Sequence, residues 1–301
     1  MATYLDPKND LTFKRVFGEH KHLCKSLLNS MLPLENPIEE IEYQTGELIP
    51  ELAKILRNTI VDVRCIDSAK RQFIVEMQLY WSDSFKSRMV VNASKAYLKQ
   101  LDIAEDFKVM QPVYALSFVN DIYEKSPEMA DEYQHHFKIV NVRHSNKIIK
   151  DLEFCFIELP KYKFQNRAEK KLHDLWMLFL TRINEKIEEI PSELLQNEFT
   201  SEAVEYMKRS AYTKEQLSSY DKFKDLIMTE KSIIGDALLK GQEEGEAMGL
   251  EKGEAIGEAK TLERIVIESH LNGFSIAQMH LITKLTIEHI TEILRRNKLL
   301  K

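Results

Sequence analysis

A chain of 301 residues that is 44% hydrophobic and 30% charged, with nine glycines and eight prolines, has the make-up of a soluble globular protein. That length allows one large domain or two smaller ones, and the composition excludes disordered and fibrous classes. No run approaches the ~18 uninterrupted apolar residues of a membrane span. The opening MATYLDPKND lacks the basic-then-apolar order of a signal peptide. Three scattered cysteines (Cys24, Cys65, Cys155) fit a reducing cytoplasm rather than a disulfide framework or a zinc site. The net charge of −6 hides local sign: residues 143–171 hold eight Lys/Arg against four Asp/Glu, and residues 240–260 hold six glutamates against three lysines. Global charge therefore does not exclude nucleic acid.

In chain order, a stripe of Leu11, Phe13, Val16, Phe17, Leu23, Leu27 and Leu28 predicts one helix from about Asn9 to Met31, capped by Asn9 or Asp10. IEEIEYQTGEL reads as a strand and turn. Two strands follow, at roughly Thr59–Ile66 and Gln72–Trp81. SDSFKSRMVVNASKAYLKQL reads as a helix capped by Ser82 or Ser84, with Phe85, Met89, Ala93, Ala96 and Leu98 on one side. QPVYALSFVN, HFKIVNV and LEFCFIEL have strand character. From about Lys161 to Leu239 the pattern is helical, including AEKKLHDLWMLFLTRINEKIEEI. This order implies a three-layer α/β or α+β domain with an all-helical C-terminal part.

Gly241, Gly245, Gly249, Gly253 and Gly257 recur every four residues. Each glycine costs a helix interior about 0.8–1 kcal/mol relative to alanine. The segment is either a flexible acidic linker or a helix whose glycine stripe admits another backbone, possibly in a homo-oligomer. The last forty residues divide into three short helices, stopped at Asn272-Gly273 and capped at Ser275 and Thr286. They form either a packing and oligomerisation module or a helix-turn-helix that docks on DNA. The boundaries are 1–165, 166–239, 240–260 and 261–301.

The two strands of the hairpin carry polar groups where valine or isoleucine is expected. Alternation puts Ile74, Glu76, Gln78 and Tyr80 on one face and Phe73, Val75, Met77 and Leu79 on the other. If residues 67–71 form a five-residue loop, Ile66 pairs with Gln72 and Asp62 falls opposite Glu76. Opposed residues have Cβ atoms ~4.5–5.5 Å apart. Two carboxylates that close repel unless one is protonated or a divalent cation such as Mg²⁺ or Mn²⁺ lies between them. A solvated hairpin face is the alternative. His20/His22 and His135-His136 read as ordinary polar residues.

The spacing Asp62, thirteen residues, Glu76-Met77-Gln78 resembles the core of PD-(D/E)XK nucleases, with Gln78 at the position of the usual lysine. NDLTFKRVFG resembles the N-terminal motif, and the glycine-every-four segment the C-terminal region, of the recombination-promoting nuclease (Rpn) or PD-(D/E)XK transposase-like family. The resemblance implies a restriction-endonuclease-like core and a Mg²⁺-dependent DNA endonuclease of the bacterial cytoplasm, linked to recombination or mobile DNA. It makes Asp62 and Glu76 metal ligands, puts Gln78 in the lysine's place, and makes Asp10 a further candidate whose other role is helix capping. Glutamine cannot act as a general acid or base, so it can only orient water. Lys14, Arg15, Lys86, Arg88, Lys161 and Lys163 are candidates to neutralise phosphates. The alternative is a catalytically weak or inactive nucleic-acid-binding or oligomerisation protein.

Overall fold

The computed structural model describes residues 3–44, 62–102, 106–164 and 171–300. The chain divides into two compact units, Met1–Asp225 and Leu226–Lys301.

In the first unit the expected N-terminal helix is broken. Asn9 caps α1 (Asp10–Phe13) by accepting from the Leu11 amide, and the chain then widens into a π-helical turn over Lys14–Gly18 before α2 (Lys21–Met31) restarts it. The break has a tertiary cause. His20 stacks on Tyr206 with centroids 4.0 Å apart, and its Nδ1 lies 2.7 Å from the Arg15 carbonyl. These contacts occupy the residue that would otherwise continue the helix.

Six strands form one mixed sheet: β1 (Ile41–Tyr43), β2 (Val63–Asp67), β3 (Gln72–Gln78), β4 (Val113–Val119), β5 (Gln134–Asn141) and β6 (His144–Glu158), in the order β1-β2-β3-β4-β6-β5. The first two pairings are antiparallel, β3 to β4 and β4 to β6 are parallel, and β5 closes the edge antiparallel to β6. Helix α3 (Asp83–Leu98) makes the crossover between the parallel strands β3 and β4. The second hairpin strand ends at Gln78 rather than Trp81; Thr59–Val61, assigned to the first, lie outside the described residues.

The sheet is covered on both faces, which explains why β3 and β4 are apolar on both sides. One face packs Phe73, Val75 and Leu116 against α1, α2 and α4 (Leu172–Arg182), where Trp176 meets Phe17 and Phe179 edge-on. The other packs Ile74, Val113, Ala115 and Phe156 against Phe85, Met89, Ala93 and Ala96 of α3. Leu98, expected on that side, is exposed. Of the helix expected from Ala168 to Ile190, residues 168–170 lie outside the described residues, and the described part is α4, which ends where the chain leaves helical geometry at Ile183. Short helices α5 (Ser192–Leu195) and α6 (Glu198–Tyr206) complete this layer. All three cysteines are free and buried.

Helix α7 (Lys214–Leu271) runs 58 residues and includes the whole glycine repeat, so that segment is helical. It also absorbs the first of the three expected C-terminal helices. Nothing lies within 4 Å of where a Cβ would stand on Gly241, Gly245, Gly249, Gly253 or Gly257, so no described residue makes the close approach the stripe would admit. Gly273, at φ +84°, lets the chain turn into α8 (Ile276–Thr283), which Ser275 and Gln278 cap reciprocally. Thr286 caps α9 (Ile287–Arg296), and Val266, Met279, Ile290 and Leu294 form the small core of the second unit. Among the described residues, no helix is long and apolar enough to cross a membrane.

Candidate active site

The hairpin between β2 and β3 has the register expected of a five-residue loop. Ile66 pairs with Gln72 and Val63 with Val75. Asp67 holds the turn, accepting from the Arg71 amide at 2.8 Å and pairing with its guanidinium, while Lys70 takes the left-handed conformation. One further step along this register brings Asp62, just outside β2, to the level of Glu76. There Asp62 Oδ2 accepts from the Met77 amide at 2.8 Å.

Glu76 is no solvated surface acid; the residue is 6% exposed. It lies on the α3 face of the sheet, where Asn92 of α3 reaches it over a long 3.4 Å contact from Nδ2 to Oε1. Its neighbour across β4 is Ser117, fully buried within the sheet. Asn92 Oδ1 and Ser117 Oγ are both buried without a hydrogen-bond partner. Buried polar atoms are nearly always paired, so two orphaned oxygens beside a buried carboxyl mark a polar cluster in an otherwise apolar layer. Sequence reasoning missed both residues. The only available signal was a lone serine in VYALSFV and an asparagine on the buried side of α3.

Electrostatics follow from this placement. Burial first, and then the charge of Asp62, push the Glu76 carboxyl up to about 8. Asp62 is pushed up to about 6 by burial, with Asp10 adding to the shift and the Met77 amide and Lys14 opposing it. Lys14, projecting from the π-helical turn, bonds Asp10 at 2.6 Å and lies 3.6 Å from Asp62. Burial pulls the Lys14 ammonium down, but the hydrogen bond and charge of Asp10, followed by Asp62, leave it raised overall. Asp10 therefore belongs to this cluster as well as to the first turn of α1.

Gln78 continues the row. Its Oε1 accepts from Arg88 of α3 at 2.6 Å, and its Nε2 donates to the Tyr80 carbonyl at 2.8 Å. Arg88 also lies 4.9 Å over the Phe85 ring, so the guanidinium is held beside the amide. Ion pairs thus link Asp10, Lys14 and Asp62, a hydrogen bond links Gln78 to Arg88, and Glu76 feels the charges of Asp62, Arg88 and Lys14. Lys86 and Arg15 are elsewhere. The Lys86 ammonium sits 4.5 Å from the Tyr123 ring, beside Trp81 and Phe137, and Arg15 lies over Tyr212 at 4.2 Å.

Lys161 corrects an expectation. Its side chain is 5% exposed, pairs with the buried Glu158 at 2.7 Å and donates to the Glu124 and Met129 carbonyls. His135 completes that cluster at 2.8 Å from Glu158. This cation ties the loop after β4 to β6 and is not available to a phosphate. Lys163, by contrast, is exposed and paired with Asp131.

Two carboxylates, raised in proton affinity because they share a buried site, suit a small divalent cation. Mg²⁺ takes one or two protein carboxylates and fills its other positions with water and substrate phosphate. Among the described residues, no group of three or more His, Cys, Asp or Glu converges to offer a self-sufficient metal cage. The donor set therefore fits an open site completed by substrate. Against protein families, the model described as PD-(D/E)XK nuclease family transposase matches residues 7–237. No curated protein and no solved structure gives a significant match.

Proposed function

Because the chain belongs to the PD-(D/E)XK nuclease family transposases, we propose that it is a metal-dependent endonuclease that hydrolyses DNA phosphodiesters in recombination or transposition. The observation that carries this reading is the antiparallel register of β2 and β3, which brings Asp62 to the level of the buried Glu76. Asp62 and Glu76 would hold Mg²⁺ or Mn²⁺. A divalent cation there supplies what no side chain of the set can, acidity for a water molecule and charge at phosphorus.

The chain's own groups divide the remaining tasks. Asp62 is oriented by the Met77 amide, which leaves Oδ1 toward Lys14. Gln78 has both ends of its amide engaged, but the second lone pair of Oε1 stays open to accept from the attacking water. This orients the nucleophile without taking its proton. Arg88 is anchored through Gln78 and retains further N–H donors that match phosphate geometry.

Binding without cleavage is favoured by one observation, the engagement of Gln78 at both ends. Incubation of supercoiled plasmid with the protein in Mg²⁺, Mn²⁺ or EDTA, beside Asp62→Ala, separates the two readings. Nicking that requires metal and Asp62 supports the endonuclease. Absence of nicking in either metal, with DNA still retained, supports binding alone.

A further inference from the structure

The hairpin of β5 and β6 projects beyond the sheet. Strand β6 spans 15 residues, against the ~5–6 typical of strands. It pairs with β4 only from Leu152 to Glu158. Residues 144–151 continue past the end of β4 opposite Ile139–Asn141 of β5, whose three residues and the turn beyond them set the free ribbon's length at about 10–15 Å at ~3.3 Å per residue, the extra residues of β6 being taken up in bulges. Every residue from 136 to 150 is exposed. Ile148 and Ile149 point to opposite faces and are 41% and 55% exposed, so neither face of the ribbon is covered.

Its chemistry is one-sided. From His136 to Lys150 there is no Asp or Glu, while Lys138, Arg143, Lys147 and Lys150 are cationic, in a chain whose net charge is −6. The apex is a two-residue turn fixed by Asn141, whose side chain accepts from the Arg143 and His144 amides at 2.9 and 3.1 Å. That turn presents Val142, 96% exposed, beside Arg143. Lys138 pairs with Glu153 and Lys150 with Glu35, which leaves Arg143 and Lys147 without an ion pair among the described residues.

We propose that this ribbon is a DNA-binding arm that grips duplex outside the cleaved step, with Arg143 and Lys147 on phosphates and Val142 against the groove. The proposal rests on the nuclease reading for its choice of nucleic acid. A two-stranded ribbon fits the width of a DNA groove, and an apolar apex flanked by arginine suits insertion between phosphate walls. A second copy of the chain is the poorer occupant, because edge lysines oppose strand-to-strand pairing. Measured along the strands, Glu76 pairs with Ser117, four residues inside the end of β4. Ser117 pairs with Phe156 and Phe156 with His135, so the apex at Val142, seven residues further along β5, lies up to about 25 Å along the strands from the level of the carboxylates, within one turn of duplex. The two register shifts, which place the extra residues on β6, bend the ribbon away from a straight extension.

The test is fluorescence anisotropy with a 36-base-pair duplex in EDTA, comparing the full chain with Arg143→Ala/Lys147→Ala and Arg143→Lys/Lys147→Arg, each checked for unchanged melting. The alanine pair is expected to weaken binding at least tenfold at low salt and to lower the log–log salt slope by about 2, at ~0.9 per phosphate contact. The charge-preserving pair is expected to restore both. Equal affinity and slope for the alanine pair overturn the arm, as does a shift in sedimentation that makes the ribbon a contact between copies. Plasmid nicking is measured in parallel in Mg²⁺. Nicking with ribbon-independent binding removes the arm and leaves the nuclease, while ribbon-dependent binding without nicking does the reverse.

Discussion

Glu76→Gln isolates the conflict between fold and site. Burial and Asp62 raise the Glu76 carboxyl to about 8, whereas a glutamate in an unfolded chain titrates near 4.3. The folded protein therefore keeps a proton that the unfolded chain has released. A raised carboxyl costs stability as pH climbs from the unfolded value through the folded one. At ~1.4 kcal/mol per unit, that cost is about 1 kcal/mol at pH 5, about 3.5 at pH 7 and near 5 above pH 9. The amide variant never ionises, so in EDTA it melts above the wild type by a margin that grows with pH. For a unit of this size 1 kcal/mol moves the melting temperature by roughly 2–4 °C, which makes the gap about 7–14 °C at pH 7. Adding Mg²⁺ or Mn²⁺ should raise the wild type by ligand binding and close part of that gap. Thermal melts by circular dichroism at pH 5, 7 and 9, with and without metal, read both effects. Parallel melting curves across that range would refute the buried, proton-retaining Glu76.

Other perturbations follow from the same contacts. Lys14→Met removes a positive charge that opposes the upward shift of Asp62, so the Asp62 carboxyl should titrate still higher, as read by carbon NMR; an unchanged midpoint would detach Lys14 from the site. Lys161→Ala leaves the buried Glu158 with His135 and the Tyr123 and Glu124 amides but without its lysine cation and is expected to cost about 3–5 kcal/mol, measured by urea unfolding, with a loss under 1 kcal/mol counting against the cluster as a staple. Lys284 takes φ 58° at the end of α8, a conformation that costs a side chain ~1 kcal/mol and glycine little. Lys284→Gly should therefore stabilise the second unit by up to about 1 kcal/mol, and a destabilised variant would show that the lysine side chain earns its place there.

What was legible in the sequence, and what was not, divides by how far the causes lie apart. Strand alternation and turn length act over a few residues, so counting from Ile66 to Gln72 was enough to bring Asp62 to Glu76. Capping is equally local, and Asn9, Ser275 and Thr286 each stand where a short polar side chain should. The failures involve partners distant in sequence. Nothing near His20 announces Tyr206, yet their stacking interrupts the first helix and leaves a π-helical turn beginning at Lys14. Lys161 looked like part of a basic run because, apart from nearby Glu158, what buries it comes from far back in the chain, His135 on β5 and the Glu124 and Met129 carbonyls. The site shows both kinds of cause at once. Its carboxylates come from one hairpin, whereas Lys14, Asn92 and Arg88, which set the charge around them, come from the layers on either side of the sheet. The identity of the acids could therefore be read from spacing, but their proton affinity could not, because it depends on which helices bury them. A change in the packing of α1 or α3 should accordingly retune Asp62 and Glu76 without touching either residue.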